Sequence, residues 1–165
     1  LHAHQLRPDL LEIEITETAL VADPSRVVPV LEQLADIGVL VSIDDFGIGN
    51  TSISQLRDLP VARIKIDRTF IADLTGSHQR AGSEMIVKAM VDLAHSFGLE
   101  VVAEGVEDSD TEGLIRALGV DQAQGFLYSQ PVPAAEVPGP EPSTTRGTGG
   151  RRRPSRSSKS PQNGG

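Results

Sequence analysis

Strands alternate strictly with helices along residues 1–137, and polar side chains stand at the carboxyl end of one strand after another. These two observations predict an α/β fold, a partial TIM-like (β/α)8 barrel of parallel strands alternating with helices, with the first strands missing. Strict alternation calls for a parallel sheet covered by helices. An open doubly wound sheet would gather its site at a single switch point, whereas a barrel collects residues from several strand ends on one face. Glu14, Glu17, Asp44, Asp45, Asp67, Glu104, Glu107 and Gln124 all lie at or just past such an end. The barrel is preferred on that ground. A complete barrel takes roughly 200 residues or more, and only about five of its eight strands are legible here.

The elements follow in order. LLEIEITE (10–17) alternates Leu11, Ile13 and Ile15 with Glu12, Glu14 and Thr16, the period of a strand. A helix spans 23–38, with Asp23 as N-cap, Pro24 at the first helical position and Gly38 at its end. Pro29 falls inside it and is expected to delay or kink it. VLVSID (39–44) is the second strand, SISQLRDL (52–59) a short helix stopped by Pro60, and ARIKID (62–67) the third strand. The segment 80–98 puts Met85, Ile86, Met90, Leu93, Ala94 and Phe97 on one face of a helix closed by Gly98. EVVAEG (100–105) is the fourth strand. DSDTEGLIRALG (108–119) is a helix ending at Gly119, and DQAQGFLY (121–128) is a short fifth strand or strand-like turn.

Composition divides the chain. Residues 138–165 contain 16 Gly, Pro or Ser among 28 and no large apolar residue. Such a segment cannot bury enough surface to offset its ordering entropy, so it is expected to be a disordered tail. Six Arg or Lys and one Glu make the tail +5, so the overall −8 leaves −13 on residues 1–137. An acidic body argues against binding DNA or RNA polymers, which relies on Lys and Arg, and suits divalent cations. There is no cysteine, so thiolate chemistry is excluded. No apolar run approaches the roughly 20 residues of a membrane span. His2, His4, His78 and His95 show no ligand spacing, and the glycines of GIGN (47–50) do not fit a dinucleotide-binding turn.

The pair Asp44–Asp45 poses the central question, because two adjacent carboxylates at a strand end repel each other. Five ordered segments answer it together: EITE (14–17), DDFG (44–47), KID (65–67), AEGVE (103–107) and QGFLYSQPVP (124–133). In that order and spacing they closely resemble the EAL domain of bacterial cyclic-di-GMP phosphodiesterases. The resemblance covers about 10–133 and makes 1–137 a partial EAL domain. It implies hydrolysis of cyclic di-GMP to linear pGpG by two-metal-assisted attack of water, in second-messenger signalling.

The resemblance also implies roles. Glu14 and Asp44 would bind one Mg or Mn ion, Asp45 would share a second, and Glu104 would be a further metal-site glutamate. Adjacent carboxylates are tolerable when two divalent ions neutralise them, and hard cations prefer oxygen ligands. Lys65 would hold and deprotonate the attacking water, a task for which a lysine amid cations is expected to have a lowered pKa. Glu107 and Gln124 would position the site, and Glu17 would pin the loop after DDFG. Asp67 is either a loop cap or a substrate contact. The expected partners are cyclic di-GMP and a second copy in a homodimer, with a cytoplasmic location and any membrane anchoring left to upstream domains. After DDFG the family has Thr-Gly-Tyr-Ser-Ser where this chain has 48–52 IGNTS. The Glu-Ala-Leu signature and a downstream asparagine ligand of the first strands do not occur. The chain alone is therefore expected to be an inactive fragment. Two alternatives stand beside this reading: a non-catalytic EAL-like module that binds cyclic di-GMP or a protein, and an unrelated metal-dependent barrel hydrolase.

Overall fold

A computed structural model describes residues 1–49, 52–76 and 80–137. Within Leu1–Pro131, which form one compact unit, five strands build one sheet: β1 (Glu12–Thr16), β2 (Leu40–Phe46), β3 (Arg63–Ile66), β4 (Glu100–Ala103) and β5 (Gln122–Ala123). All neighbours are parallel, and the spatial order is the chain order, β1-β2-β3-β4-β5. A doubly wound sheet reverses direction at its switch point. No reversal occurs among these strands, so the sheet is wound in one sense, as in a barrel. The helices are α1 (Glu17–Ala22), α2 (Pro24–Asp36), α3 (Ile53–Asp58), α4 (Arg68–Ala72), α5 (Arg80–Ser96) and α6 (Ser109–Leu118).

Alternation along the strands sends two kinds of residue to two faces. Val41, Ile43, Ile64, Ile66, Val101 and Ala103 point to the helical side and are fully buried there. Burying a Val or Ile side chain contributes roughly 1.5–3 kcal/mol, so this face anchors the fold. The other face carries Glu12, Glu14, Ser42, Asp44, Arg63, Lys65 and Glu100, in register across the strands. The apolar face thus fixes where the charged face must lie.

Several boundaries differ from the sequence reading. The first strand begins at Glu12, because Pro8–Leu10 form a 3-10 turn. It ends at Thr16, whose hydroxyl accepts a hydrogen bond from the Ala19 N–H and so starts α1. Alternation alone could not reveal that cap. Helix α2 runs unbroken through Pro29 from its Asp23 cap, forgoing the one hydrogen bond that Pro cannot donate. Helix α4 was not anticipated; Asp67 caps it. The buried positions of α5 are Ser83, Val87, Val91 and Ala94, whereas Met85 is 74% exposed and Ile86 is 46% exposed. Met90, Leu93, Ala94 and Phe97 of the expected face do pack into the core; only its first turn departs, because Val87 and Val91 take the buried positions that Met85 and Ile86 would have filled. Strand β5 shortens to Gln122–Ala123.

Val132–Val137 belong to a second unit and contain a 3-10 turn at Ala134–Glu136. The tail expected over 138–165, Asn50, Thr51 and His78 lie outside the described residues.

Candidate active site

The two aspartates share a face because β2 is irregular where it ends. Consecutive strand residues normally point to opposite sides. Between Ile43 and Phe46 the pairing with β3 shifts register, and Asp45 takes a left-handed φ of +54°. Asp is among the few residues that tolerate this conformation. Gly47 follows at φ +103°, where a Cβ would lie 2.6 Å from the Met90 Cε and 2.9 Å from Phe70. The irregularity lets Asp44 and Asp45 turn towards the same space as Glu104. One carboxylate oxygen from each of these three residues lies within 4.8 Å of the others.

Lys65 enters this space from β3, only 4% exposed. Its Nζ lies 2.7 Å from Glu14 Oε1, 2.5 Å from Glu104 Oε1 and 3.3 Å from Asp44 Oδ1. Glu14, Asp44, Asp45 and Glu104 are four formal negative charges against this one ammonium, an excess of 4 − 1 = 3. Their electrostatics record it. Burial, and then the charge of Asp44, push Asp45 above the usual carboxylate range. Burial also pushes Glu104 up, although Lys65 partly offsets this. The lowered pKa expected of Lys65 is corrected here. Burial pulls it down, but hydrogen bonds to Glu104 and Glu14 and the charges of Glu104 and Asp44 outweigh burial and raise it. The expectation assumed neighbouring cations, and the groups that actually surround Nζ are carboxylates.

Glu17, nearly fully buried, accepts hydrogen bonds through Oε2 from the Gly47 N–H at 3.1 Å and the Gly49 N–H at 3.0 Å. Glu17 thus ties the described part of the loop after DDFG, whose Ile48 N–H also donates to Asp45 O at 3.3 Å. Asp67 accepts from the Thr69 N–H at 2.8 Å and from its hydroxyl at 2.5 Å, which makes it a helix cap. Burial would raise its pKa, but the Thr69 bonds prevail and lower it. It also lies beside Asp45, whose carboxyl it helps to raise.

Glu107 and Gln124 stand apart. Glu107 lines a cleft of about 340 Å³ with Arg68, Thr69, Thr75 and Asp108. Gln124 lines one of about 530 Å³ with Gly125 and Phe126. No hydrogen bond or ion pair joins either side chain to the Lys65 cluster among the described residues. The backbone does hold the Gln124 segment in place: the Gln124 N–H donates to Ala103 O at 2.8 Å, and its carbonyl accepts from the Val106 N–H at 3.1 Å. Sequence reading missed a second charged cluster on the same sheet face, Glu12, Arg63, Glu100 and Gln122. Its signal was present in the period-two pairs Glu12/Glu14 and Arg63/Lys65.

The donors fit a divalent cation. All are carboxylate oxygens, which hard ions prefer. Asp44 Oδ1 is buried and receives no hydrogen bond; its one cationic neighbour among the described residues is Lys65 Nζ at 3.3 Å, shared with Glu14 and Glu104, which leaves a buried acceptor that a divalent cation would satisfy.

Comparison with known proteins agrees with this architecture. The family model for the EAL domain matches residues 1–131. A cyclic di-GMP phosphodiesterase of Pseudomonas aeruginosa, PA2567, is 41% identical over 122 residues, covering 74% of this chain and 20% of the relative. The solved PaMucR phosphodiesterase in complex with c-di-GMP is 40% identical with a TM-score of 0.76, covering 82% of this chain and 53% of that one. A manganese/cy-diGMP complex of Klebsiella pneumoniae BlrP1 is 35% identical with a TM-score of 0.71, covering 79% of this chain and 33% of that one. The fold is thus that of a TIM-barrel domain with a carboxylate-rich site at the strand ends. The chain belongs to the EAL-domain family. It spans a fifth or less of the full length of the curated relatives it matches.

Proposed function

We propose that the cluster around Lys65 serves hydrolysis of cyclic di-GMP to linear pGpG, with divalent ions as cofactors. The observation that carries this reading is the charge excess: four carboxylates converge on one ammonium at the strand ends of an EAL-family domain. When bound, two Mg or Mn ions would stabilise the attacking and leaving oxygens of the phosphodiester displacement. Asp44, Asp45 and Glu104 would hold them, with Glu14 joining once released from Lys65. Lys65 would orient the attacking water and take up its proton at Nζ. That task requires Glu104 and Glu14 to be engaged elsewhere, since together they now keep the ammonium protonated. Glu17 would keep Asp44 and Asp45 in place through the loop it anchors, and Glu107 and Gln124 would flank the substrate. Asp67 would act as a cap, in contact with Asp45.

Lys65→Ala tests the acid–base role. In the chain completed by the first strands of a related EAL domain, turnover should fall by roughly 100-fold or more, while cyclic di-GMP still binds by isothermal titration. Weaker binding with normal turnover overturns the role of Lys65.

One observation favours a second reading. Lys65 already neutralises part of the cluster, as suits a module that binds cyclic di-GMP without cleaving it. Binding with no conversion at saturating Mn and Mg would establish that reading.

A further inference from the structure

We infer that Glu12 is a positioning residue: by engaging Arg63 it keeps that guanidinium off Glu14 and leaves Glu14 to Lys65 and a divalent cation. The inference rests on the proposed reading of Glu14 as a metal ligand.

Strand β3 presents two cations on the charged face, Arg63 and Lys65. Arg63 is in register with Ser42 on β2, and Ser42 is in register with Glu14 on β1. Besides Glu100, its direct neighbour on β4, the carboxylate in register with Arg63 is therefore Glu14 on β1, two strands away, about 10 Å between backbones. A Glu and an Arg side chain can span that gap together. Nothing on β2 stands between them, since Ser42 is small and its buried Oγ makes no hydrogen bond among the described residues.

Arg63 nevertheless reaches Glu100 and Glu12 and not Glu14. Its Nη1 lies 2.5 Å from Glu12 Oε2, one step back along β1, and its Nε lies 2.7 Å from Glu100 Oε2. Gln122 Nε2 donates to the same Glu100 oxygen at 3.1 Å. The Arg63 side chain is only 19% exposed. A guanidinium with five donors, largely out of water, needs carboxylate partners. If Glu12 loses its charge, the remaining carboxylate on β1 is Glu14. Arg63 would then compete with Lys65 and with the cation for it. The Glu12–Arg63–Glu100 cluster thus acts as a tether that decides which cation Glu14 meets.

The test is Mn(II) titration of the chain, followed by electron paramagnetic resonance, in four forms. Glu14→Gln should weaken binding by roughly 10-fold or more, and Glu12→Gln by roughly 10-fold, as expected for partners behind metal ligands. The double variant Glu12→Gln with Arg63→Met should return to within about threefold of the parent, because the competitor is gone. A tether with a merely structural role would leave the double variant no better than Glu12→Gln, and that result overturns the inference. Unchanged binding in Glu12→Gln alongside weakened binding in Glu14→Gln overturns it while sparing the metal site. Unchanged binding in Glu14→Gln overturns both. If Glu12→Gln does not fold, Glu100→Gln at its exposed position must show the same weakening in smaller measure, and no change there overturns the inference.

Discussion

One carboxylate anchors two backbone amides of the loop beside the site. Glu17 lies 30 residues before Gly47 and 32 before Gly49 in sequence, yet one oxygen receives both N–H groups. A Cβ at Gly49 would lie 2.7 Å from the Glu17 carboxyl carbon, so a side chain there would have to push Glu17 off the loop. Glu17→Ala should cost about 1–3 kcal/mol, the range for losing buried acceptors, and should speed hydrogen exchange at the Gly47 and Gly49 amides. Unchanged exchange at both would show that the loop stands without Glu17. A second residue-scale case is Asp121, whose Oδ2 accepts from the Val101 N–H and pairs with His95 Nε2, both at 2.8 Å. Burial would raise its pKa, but these two bonds prevail and lower it. A depressed carboxylate pKa adds stability above the unfolded value and loses it as pH falls through the folded value. Asp121→Asn should therefore cost about 1 kcal/mol in urea unfolding near neutral pH, discounted for its exposure. The gap should close below the ordinary carboxylate value of 3.8; a gap of constant size at all pH would contradict the ionic origin. The site residues were legible in the sequence because the motifs place carboxylates at strand ends. The partner of each was not legible, because Lys65 reaches carboxylates on three different strands or their extensions and pairing of that kind depends on sheet register.

At the level of elements, the site is held by two departures from regular strand geometry. One is the register shift at the end of β2, which the sequence hints at only through Gly47. The other is the tight approach of the segment after β5 to the segment after β4. A Cβ on Gly125 would lie 2.2 Å from Val106 O and 2.3 Å from Val106 N. Both atoms are backbone and both are engaged: the Val106 N–H donates to Gln124 O, and its carbonyl accepts from the Leu127 N–H. A side chain there must separate the two segments and shift Glu104 and Gln124 with them. Gly125→Ala should destabilise by about 1–3 kcal/mol, the usual cost of overpacking, read as a lower urea midpoint at constant m-value. An unchanged midpoint would mean the segments separate freely. Element types were readable from periodicity wherever a cap or a clean alternation marked them, as with Asp23 and Pro24 at the start of α2 and Asp108 before α6. They were misread where a short cap overrode the pattern, as at Thr16 and Asp67.

For the whole molecule, strand order is the decisive fact. Five parallel strands in chain order carry a helix-covered apolar face and a charged face, and every metal-site candidate lies on the charged one. Strands β1 and β5 each have one hydrogen-bonded neighbour, so the sheet presents two unpaired edges where further strands can add. The barrel was readable because polar residues recur at successive strand ends; the Glu12–Arg63–Glu100 cluster beside the site was not, since Glu12 and Arg63 resemble ordinary strand polar residues until the sheet brings them together. No helix among the described residues is long and apolar enough to cross a membrane. The central claim is that this face is the metal site of a cyclic-di-GMP phosphodiesterase. The most direct measurement follows conversion of cyclic di-GMP to linear pGpG with Mn or Mg, using the chain completed by the first strands of a related EAL domain. The account predicts turnover that requires the metal and disappears in Asp44→Asn. Metal-dependent turnover that persists unchanged in Asp44→Asn would contradict it.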